Sequence, residues 1–99
     1  MIVLGRDVLA QAGQRHRGKK LERSLETWAA VVEAAKWRHF PDVRKMWGSA
    51  DYVPKSDCVV FNLRGNQFRL LAKVNYRLGI VSVLEVLTHA EYQKWSDRL

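Results

Sequence analysis

Near Cys58 the spacing of hydrophobic positions changes from the three-to-four-residue period of helices to the two-residue period of strands. In the first half, Leu21, Leu25, Trp28 and Val32 recur on one helical face, and the other side carries charged residues, namely Glu22, Arg23, Glu26 and Glu33. This pattern predicts an amphipathic helix over residues 20–36.

Shorter elements flank this helix. Residues 2–4 are typical of a short opening strand, and Asp7 is a candidate cap for a helix that fades at Gly13. Pro41 fits the first turn of another short helix, which ends at Gly48. The positions of that helix predicted to face inward are Val43, Met46 and Trp47.

From Cys58 onward the period is two, which predicts strands. Gly65-Asn66 is a two-residue hairpin signal that pairs Arg64 with Gln67. Extending this register sets Asn62 opposite Arg69 and Cys58 opposite Lys73. A second turn at residues 77–79, with Gly79 in the left-handed region, leads into a third strand over residues 80–87.

The end of the chain predicts a helix, because Thr88 and Glu91 have the spacing of a capping box. The expected fold is therefore α+β: a compact antiparallel sheet with the N-terminal helices packed on one face and a short C-terminal helix. Residues 1–99 are expected to form a single domain, because 99 residues suffice for only one modest core.

Charge adds a functional expectation. The sequence has 17 Lys and Arg against 10 Asp and Glu, which gives a formal net charge of +7. A body this small and basic favours polyanionic partners, through phosphate contacts and release of counterions. The alternative is a solvated surface with a positive bias; nucleic acid is the favoured interpretation.

Other classes of protein are disfavoured. Cys58 is the single cysteine, so no internal disulfide is expected. No apolar stretch approaches the roughly 20 residues that cross a bilayer, and no signal peptide is recognisable, so a cytoplasmic protein without membrane contact is expected. The three scattered histidines do not have the spacing of a zinc site, and there is no glycine-rich phosphate loop. We expect no metal and no cofactor.

The outer face of the second strand carries polar and cationic residues, namely Gln67, Arg69, Lys73 and Asn75. Charges on a central strand are placed where solvent or a ligand reaches them, which favours a phosphate site. The alternative is an exposed face decorated for solubility, with Glu85 neutralising the cations from the neighbouring strand.

His89 and Tyr92 lie three residues apart at the start of the last helix, hence on one side of it. The predicted pairing of Arg69 with Leu87 brings them near Arg69. Metal-free RNA cleavage needs a base, an acid and cations for the developing phosphorane charge, and these side chains supply such groups. The alternative is that His89 is an ordinary first-turn residue and Tyr92 a core aromatic. His16 and His39 are expected at the surface.

These residues bring a family resemblance into view. Residues 59–76 (VVFNLRGNQFRLLAKVNY) and 88–92 (THAEY), preceded by Trp28, residues 35–37 (AKW) and 50–53 (ADYV), resemble HigB-type toxins of the RelE/ParE-like superfamily. The resemblance covers about two-thirds of the chain, in order and at plausible separations, and the N-terminal twenty residues carry little of it. It implies a RelE-like fold and cleavage of mRNA, often at the translating ribosome.

The resemblance also implies site residues and partners. The expected catalytic residues are Arg69, Lys73, His89 and Tyr92, with Asn62 and Asn75 as flanking polar contacts. Arg64 and Gln67, which the resemblance does not supply, complete the expected RNA-binding residues. The implied partners are mRNA, the ribosome and a HigA-like helix-turn-helix antitoxin. With this antitoxin the toxin would form a heterotetramer or larger complex that binds operator DNA. Two alternatives stay open: a ParE-like gyrase inhibitor, and a non-catalytic RNA- or ribosome-binding module.

Overall fold

The computed structural model describes residues 1–99 and contains five strands and four helices. In chain order they are β1 (Ile2–Leu4), α1 (Arg6–Arg15), α2 (Leu21–Ala34), α3 (Phe40–Met46), β2 (Asp51–Val53), β3 (Cys58–Leu63), β4 (Phe68–Asn75), β5 (Ile80–Thr88) and α4 (His89–Asp97). The α+β class is confirmed, and the predicted long helix lies within its expected bounds.

The sheet is mixed, with strand order β1-β5-β4-β3-β2. β2 to β5 form antiparallel neighbours, whereas β1 pairs in parallel with β5 at the edge. The expectation of a purely antiparallel sheet is therefore corrected at one strand. In the sequence, α1 to α3 and β2 to β4 lie between β1 and β5, so no local turn determines the orientation in which β1 pairs at the edge.

The predicted register of the meander is confirmed where it positions the site. Asn62 pairs with Arg69, and Arg69 pairs with Leu87 on the next strand. The backbone N–H of Gln67 donates to the carbonyl of Arg64 at 3.1 Å, closing the first hairpin. Gly79 has φ +70°, as its turn requires.

A bulge interrupts the β4–β5 pairing. Leu71 pairs with Glu85, whereas the following residue, Ala72, pairs with Val83. The extra residue on β5 shifts its alternation, so Val83 and Val86 both face the core although they lie three residues apart. The sheet thus keeps a continuous apolar face through an irregular strand.

The main core lies between the sheet and the N-terminal helices. Phe61 is fully buried at its centre, with aromatic ring centroids 5.3 to 6.1 Å away on three sides. These rings belong to Trp28, Trp37 and Trp47. Edge-to-face and stacked aromatic pairs add stabilisation beyond the area that they bury. The expected packing of the N-terminal helices on one face of the sheet is confirmed.

The opposite face is also partly apolar. Cys58, Val60 and Leu71 are buried but lie outside the main core cluster. α4 contacts β4 and β5, and Lys55 Nζ donates to the carbonyl of Leu99 at 3.0 Å near the β2–β3 turn. Leu71 is therefore a buried position between the two outward cations of β4, and the cationic face is not continuous.

Two local predictions were wrong. α1 begins after Gly5, whose φ is +88° and where an added Cβ would lie 2.7 Å from the Val83 carbonyl oxygen. Asp7 lies in the first turn and makes no capping hydrogen bond, and the helix continues past Gly13. The close approach of the chain to β5, which a local pattern does not encode, determines this start.

In α3, Met46 is 48% exposed, which contradicts its predicted inward position. Its sulfur instead accepts a hydrogen bond from the Trp37 indole at 3.2 Å, at the edge of the core. Val43 is fully buried and Trp47 is half-buried against the core, as expected. A seven-residue helix buries only a narrow stripe, which Val43 occupies.

Candidate active site

The junction of β5 and α4 positions the candidate site. The Thr88 hydroxyl accepts from the Glu91 N–H at 3.2 Å, and the Glu91 carboxylate accepts from the Thr88 N–H at 2.8 Å. This is the predicted capping box. The N–H of His89 donates to the Gln67 carbonyl at 3.0 Å, which ties the start of α4 to the β3–β4 turn. The backbone of His89 is therefore held from both sides.

Arg69 is the centre of a cluster that includes His89 and Tyr92. Its guanidinium lies 3.2 Å from His89 Nδ1 and 5.5 Å from the centroid of the Tyr92 ring. It also donates to the carbonyl of Asn66 at 2.7 Å. A guanidinium only donates, so Nδ1 accepts in this contact, and a neutral His89 ring then carries its proton on Nε2. The structure brings together three of the four predicted catalytic residues.

Tyr92 is half-buried and stacks on Trp95, with ring centroids 5.6 Å apart. Burial raises the pKa of the Tyr92 hydroxyl, the negative charge of Asp51 raises it further, and Arg69 opposes both effects. With its pKa above the ordinary value of 10.0, the phenol keeps its proton throughout the neutral range. Its chemistry at neutral pH is therefore that of a proton donor or a stacking surface.

Asn62 borders the cluster. Its amide donates to the side-chain oxygen of Asn66 at 2.7 Å, and its backbone carbonyl accepts from the Trp47 indole at 3.1 Å. Asn66 has φ +76° in the hairpin turn and also accepts from Arg69. Asn66 was not among the predicted site residues. Its place in the turn, four residues after Asn62, was the available signal.

The predicted residues further along β4 lie apart from the cluster. Lys73 is exposed opposite Ser82, four residues from Arg69, which is about 13 Å along a strand. The Asn75 side chain accepts from the N–H of Leu78 at 3.0 Å and thus shapes the β4–β5 turn. The intervening Leu71 is buried. Neither Lys73 nor Asn75 contacts Arg69.

The remaining two predicted RNA-binding residues lie in the β3–β4 turn. Gln67 is exposed and contributes its backbone carbonyl to the hydrogen bond with His89. Arg64 is exposed with φ +53°, and it lines a separate cleft beside α2. Both residues therefore lie close to Arg69 in the sequence, in the β3–β4 turn.

His16 contradicts the expectation of a surface histidine. Its ring packs edge-on against Phe68 at 4.8 Å between centroids, and its Nε2 is buried without a hydrogen-bond partner. Burial lowers the pKa of His16, the charge of Arg15 lowers it further, and Glu91 opposes them. His39 is exposed and lies 3.6 Å from Asp42, as a surface histidine.

The chain contains no group of three or more His, Cys, Asp or Glu side chains arranged to hold a metal ion. Cys58 is a free, buried thiol. None of the four helices combines the length and apolar character needed to cross a membrane.

The four helices and five-stranded mixed sheet form an α+β fold that is consistent with a RelE-like toxin. The HigB toxin family model, described as the RelE-like toxic component of a toxin–antitoxin system, matches residues 21–95, and the chain belongs to this family. No curated protein matches the chain. The family resemblance seen in the sequence is confirmed, including the small contribution of the first twenty residues. The protein is thus a toxin, and its family implies an antitoxin partner.

Proposed function

We propose that this toxin is an endoribonuclease that cleaves mRNA at the translating ribosome. The observation that carries the proposal is the contact of Arg69 with both His89 and Tyr92. A cation, an imidazole and a protonated phenol within one cluster are the groups that transfer of an RNA phosphate to its own 2′-hydroxyl requires.

In the proposed reaction, the 2′-hydroxyl loses its proton to a base, and its oxygen forms a bond to the adjacent phosphorus. The bond from phosphorus to the 5′-oxygen breaks, and that oxygen takes a proton from an acid. The products are a 2′,3′-cyclic phosphate and a 5′-hydroxyl. These steps use only proton transfers and charge stabilisation by side chains.

Arg69 is the proposed stabiliser of the phosphorane charge. A bidentate guanidinium matches the geometry of two phosphate oxygens. In the free protein the Arg69 guanidinium donates a hydrogen bond to His89 Nδ1. A bound phosphate competes for the same donors, so substrate binding would free Nδ1 to accept the 2′-hydroxyl proton. His89 is thus the proposed base, made available by the substrate.

Tyr92 is the proposed acid, because its raised pKa keeps the phenol protonated at neutral pH. Its stacking on Trp95 and the cation above its ring limit the positions that the hydroxyl reaches. Such positioning is worth several orders of magnitude in rate when the transferring groups are already aligned.

The other predicted residues would bind RNA away from the reacting phosphate. Lys73 is exposed on the same strand, and a cation about 13 Å from Arg69 would contact a different phosphate of an extended strand. Asn62 and Gln67 border the cluster, and Arg64 lies between them in the sequence, in the β3–β4 turn. Asn75 is the remaining proposed contact, although its side chain already accepts from the chain itself.

We also propose the wider setting. The main core draws on residues from Val3 to Val86, which supports a single toxin domain over residues 1–99. The +7 charge supports an acidic segment in the antitoxin, for which we propose a HigA-like helix-turn-helix protein in a heterotetrameric or larger complex. Cleavage of translated mRNA would take place in the cytoplasm.

Digestion of a defined mRNA, with and without ribosomes, tests this function. We expect new 5′-hydroxyl ends when wild-type protein is added to translating ribosomes, and far fewer in the same time with Arg69→Ala. Lys36→Gln serves as a matched control, because Lys36 is an exposed cation beside Tyr76 and Leu78, in a different surface depression. RNA that is bound but never cut would support the non-catalytic module. Intact transcripts with trapped gyrase–DNA complexes would support the gyrase inhibitor.

A further inference from the structure

We infer that a second cationic cleft, next to the candidate active site, binds the phosphates of the RNA strand on one side of the cleavage point. The cleft has a volume of about 390 Å³ and lies between the start of α2 and the β3–β4 turn. Its cations are Lys20, Arg23 and Arg64. The inference rests on the proposed function, since it assumes that RNA is the substrate.

The charges of this cleft are uncompensated. No acidic residue lines it, and neither of the two ion pairs in the chain involves its cations. α2 sorts its charges by face: Arg23 lines this cleft, whereas Glu22 and Glu26 line the groove against α1. Like charges gathered around one concavity repel each other and attract a polyanion. The cleft is therefore electrostatically complementary to a phosphate backbone.

The neutral lining also suits a nucleic acid. Ser24 and Thr27 add hydroxyl groups, which together with Lys and Arg are common phosphate ligands. Trp47 contributes an aromatic surface, and its indole N–H is fixed to the Asn62 carbonyl at 3.1 Å. Aromatic side chains beside a cationic groove stack on bases of single strands without regard to sequence.

Hydrogen bonds link the cleft to the candidate site around the β3–β4 turn. Asn62 contacts Trp47 of the cleft through its carbonyl, and it contacts Asn66 through its amide. The Asn66 carbonyl in turn accepts from Arg69. An extended strand with one phosphate at Arg69 would therefore pass over the β3–β4 turn, where Arg64 lies, and enter the cleft. An acidic peptide would also satisfy the cations, but base stacking on the Trp47 ring favours a nucleic acid.

The test is the salt dependence of RNA binding. The double variant Lys20→Asn/Arg23→Gln removes two of the cations, and Asn tolerates the φ of +59° at position 20. The probe is a fluorescent 2′-O-methyl oligoribonucleotide of about 12 nucleotides, within the range of common single-strand sites. It has phosphates but no free 2′-hydroxyl, so its binding is independent of cleavage. Anisotropy titrations over a range of KCl concentrations give the dissociation constant and its salt slope.

We expect the slope of log affinity against log salt to decrease by about 1.4, because each single-strand phosphate contact contributes about 0.7. The control Lys36→Gln/Arg38→Gln removes the same charge at exposed positions at the other end of the sheet. It should keep the wild-type slope, and thermal melts verify that both variants are folded. Equal slopes for the two double variants would overturn the inference. An unchanged RNA slope with weakened antitoxin binding would overturn it in favour of an acidic peptide.

Failure of the proposed function gives a different result. Wild-type protein that binds the probe through Lys20 and Arg23 but leaves mRNA intact on ribosomes would refute cleavage and retain the cleft. Conversely, the protein could cleave mRNA while the salt slope of RNA binding stays the same without Lys20 and Arg23. This result would support the nuclease function and refute RNA binding in the cleft.

Discussion

Arg69 and His89 are twenty residues apart in the chain, and the guanidinium of one lies 3.2 Å from Nδ1 of the other. Two features produce this contact. The β4–β5 register pairs Arg69 with Leu87, and the capping box at Thr88 makes His89 the first residue of α4. Tyr92 follows on the next turn of α4, under the same guanidinium. Strand pairing and helix capping together therefore build the cluster.

The first prediction separates the site from the core. Arg69→Ala should leave the domain folded, because the side chain is half-exposed on the outer face of the sheet. Phe61→Ala should lower the free energy of unfolding by about 3–5 kcal/mol, because it empties the centre of the aromatic core. Chemical denaturation of both variants and wild type measures this. A comparable loss of stability in Arg69→Ala would assign that residue a structural role.

The second prediction concerns proton transfer. His89→Gln and Tyr92→Phe should each reduce the cleavage rate by about 100-fold or more. Tyr92→Phe retains the ring that stacks on Trp95 and lies beneath Arg69, and it lacks only the hydroxyl. Single-turnover cleavage on ribosomes is the measurement. Full activity of Tyr92→Phe would mean that the ring alone matters and that the acid lies elsewhere.

The third prediction concerns the cap that positions His89. Thr88→Ala removes the side-chain acceptor for the Glu91 N–H and should cost about 1 kcal/mol of stability. It should also lower the cleavage rate at saturating substrate, because the start of α4 then holds His89 less firmly. Thr88→Ser keeps the hydroxyl and should restore both properties. A rate that is the same in the Ala and Ser variants would show that the cap serves stability only.

The fourth prediction is a pH dependence of stability from His16. Because burial lowers its pKa in the folded state, the unfolded chain binds the proton more tightly. The contribution of His16 to stability is thus complete above its ordinary pKa of 6.5 and is lost as pH falls through the folded value. Melting temperatures should decline from pH 7 toward pH 5. His16→Phe keeps an aromatic ring against Phe68 and should remove this decline; an unaltered decline would assign it to other groups.

The sequence predicted those parts of the fold that depend on local patterns. The hairpin signal at Gly65-Asn66 was sufficient to set Asn62 opposite Arg69, and the capping box located the start of α4. The bulge after Leu71 and the parallel pairing of β1 were missed, because packing between distant segments determines them.

For the candidate site, too, local patterns predicted one part and missed another. Local pattern and register identified Arg69, His89 and Tyr92, which meet in the structure. Periodicity also placed Lys73 on the same face, with Leu71 between it and Arg69, but it did not predict that Leu71 would be buried there and would separate the two cations. His16 was expected at the surface because its neighbours in the chain are basic, whereas its actual contact, Phe68, is distant in sequence. Long-range contacts were thus the missing information.

Single-turnover cleavage of ribosome-bound mRNA by wild type and Arg69→Ala tests the central claim most directly. If Arg69 stabilises charge that develops only in the transition state, its loss should reduce the rate by about 100- to 1,000-fold, with the melting temperature retained. The Lys36→Gln control should cleave at the wild-type rate. A folded Arg69→Ala protein that cleaves mRNA as fast as wild type would contradict the catalytic assignment of the Arg69–His89–Tyr92 cluster.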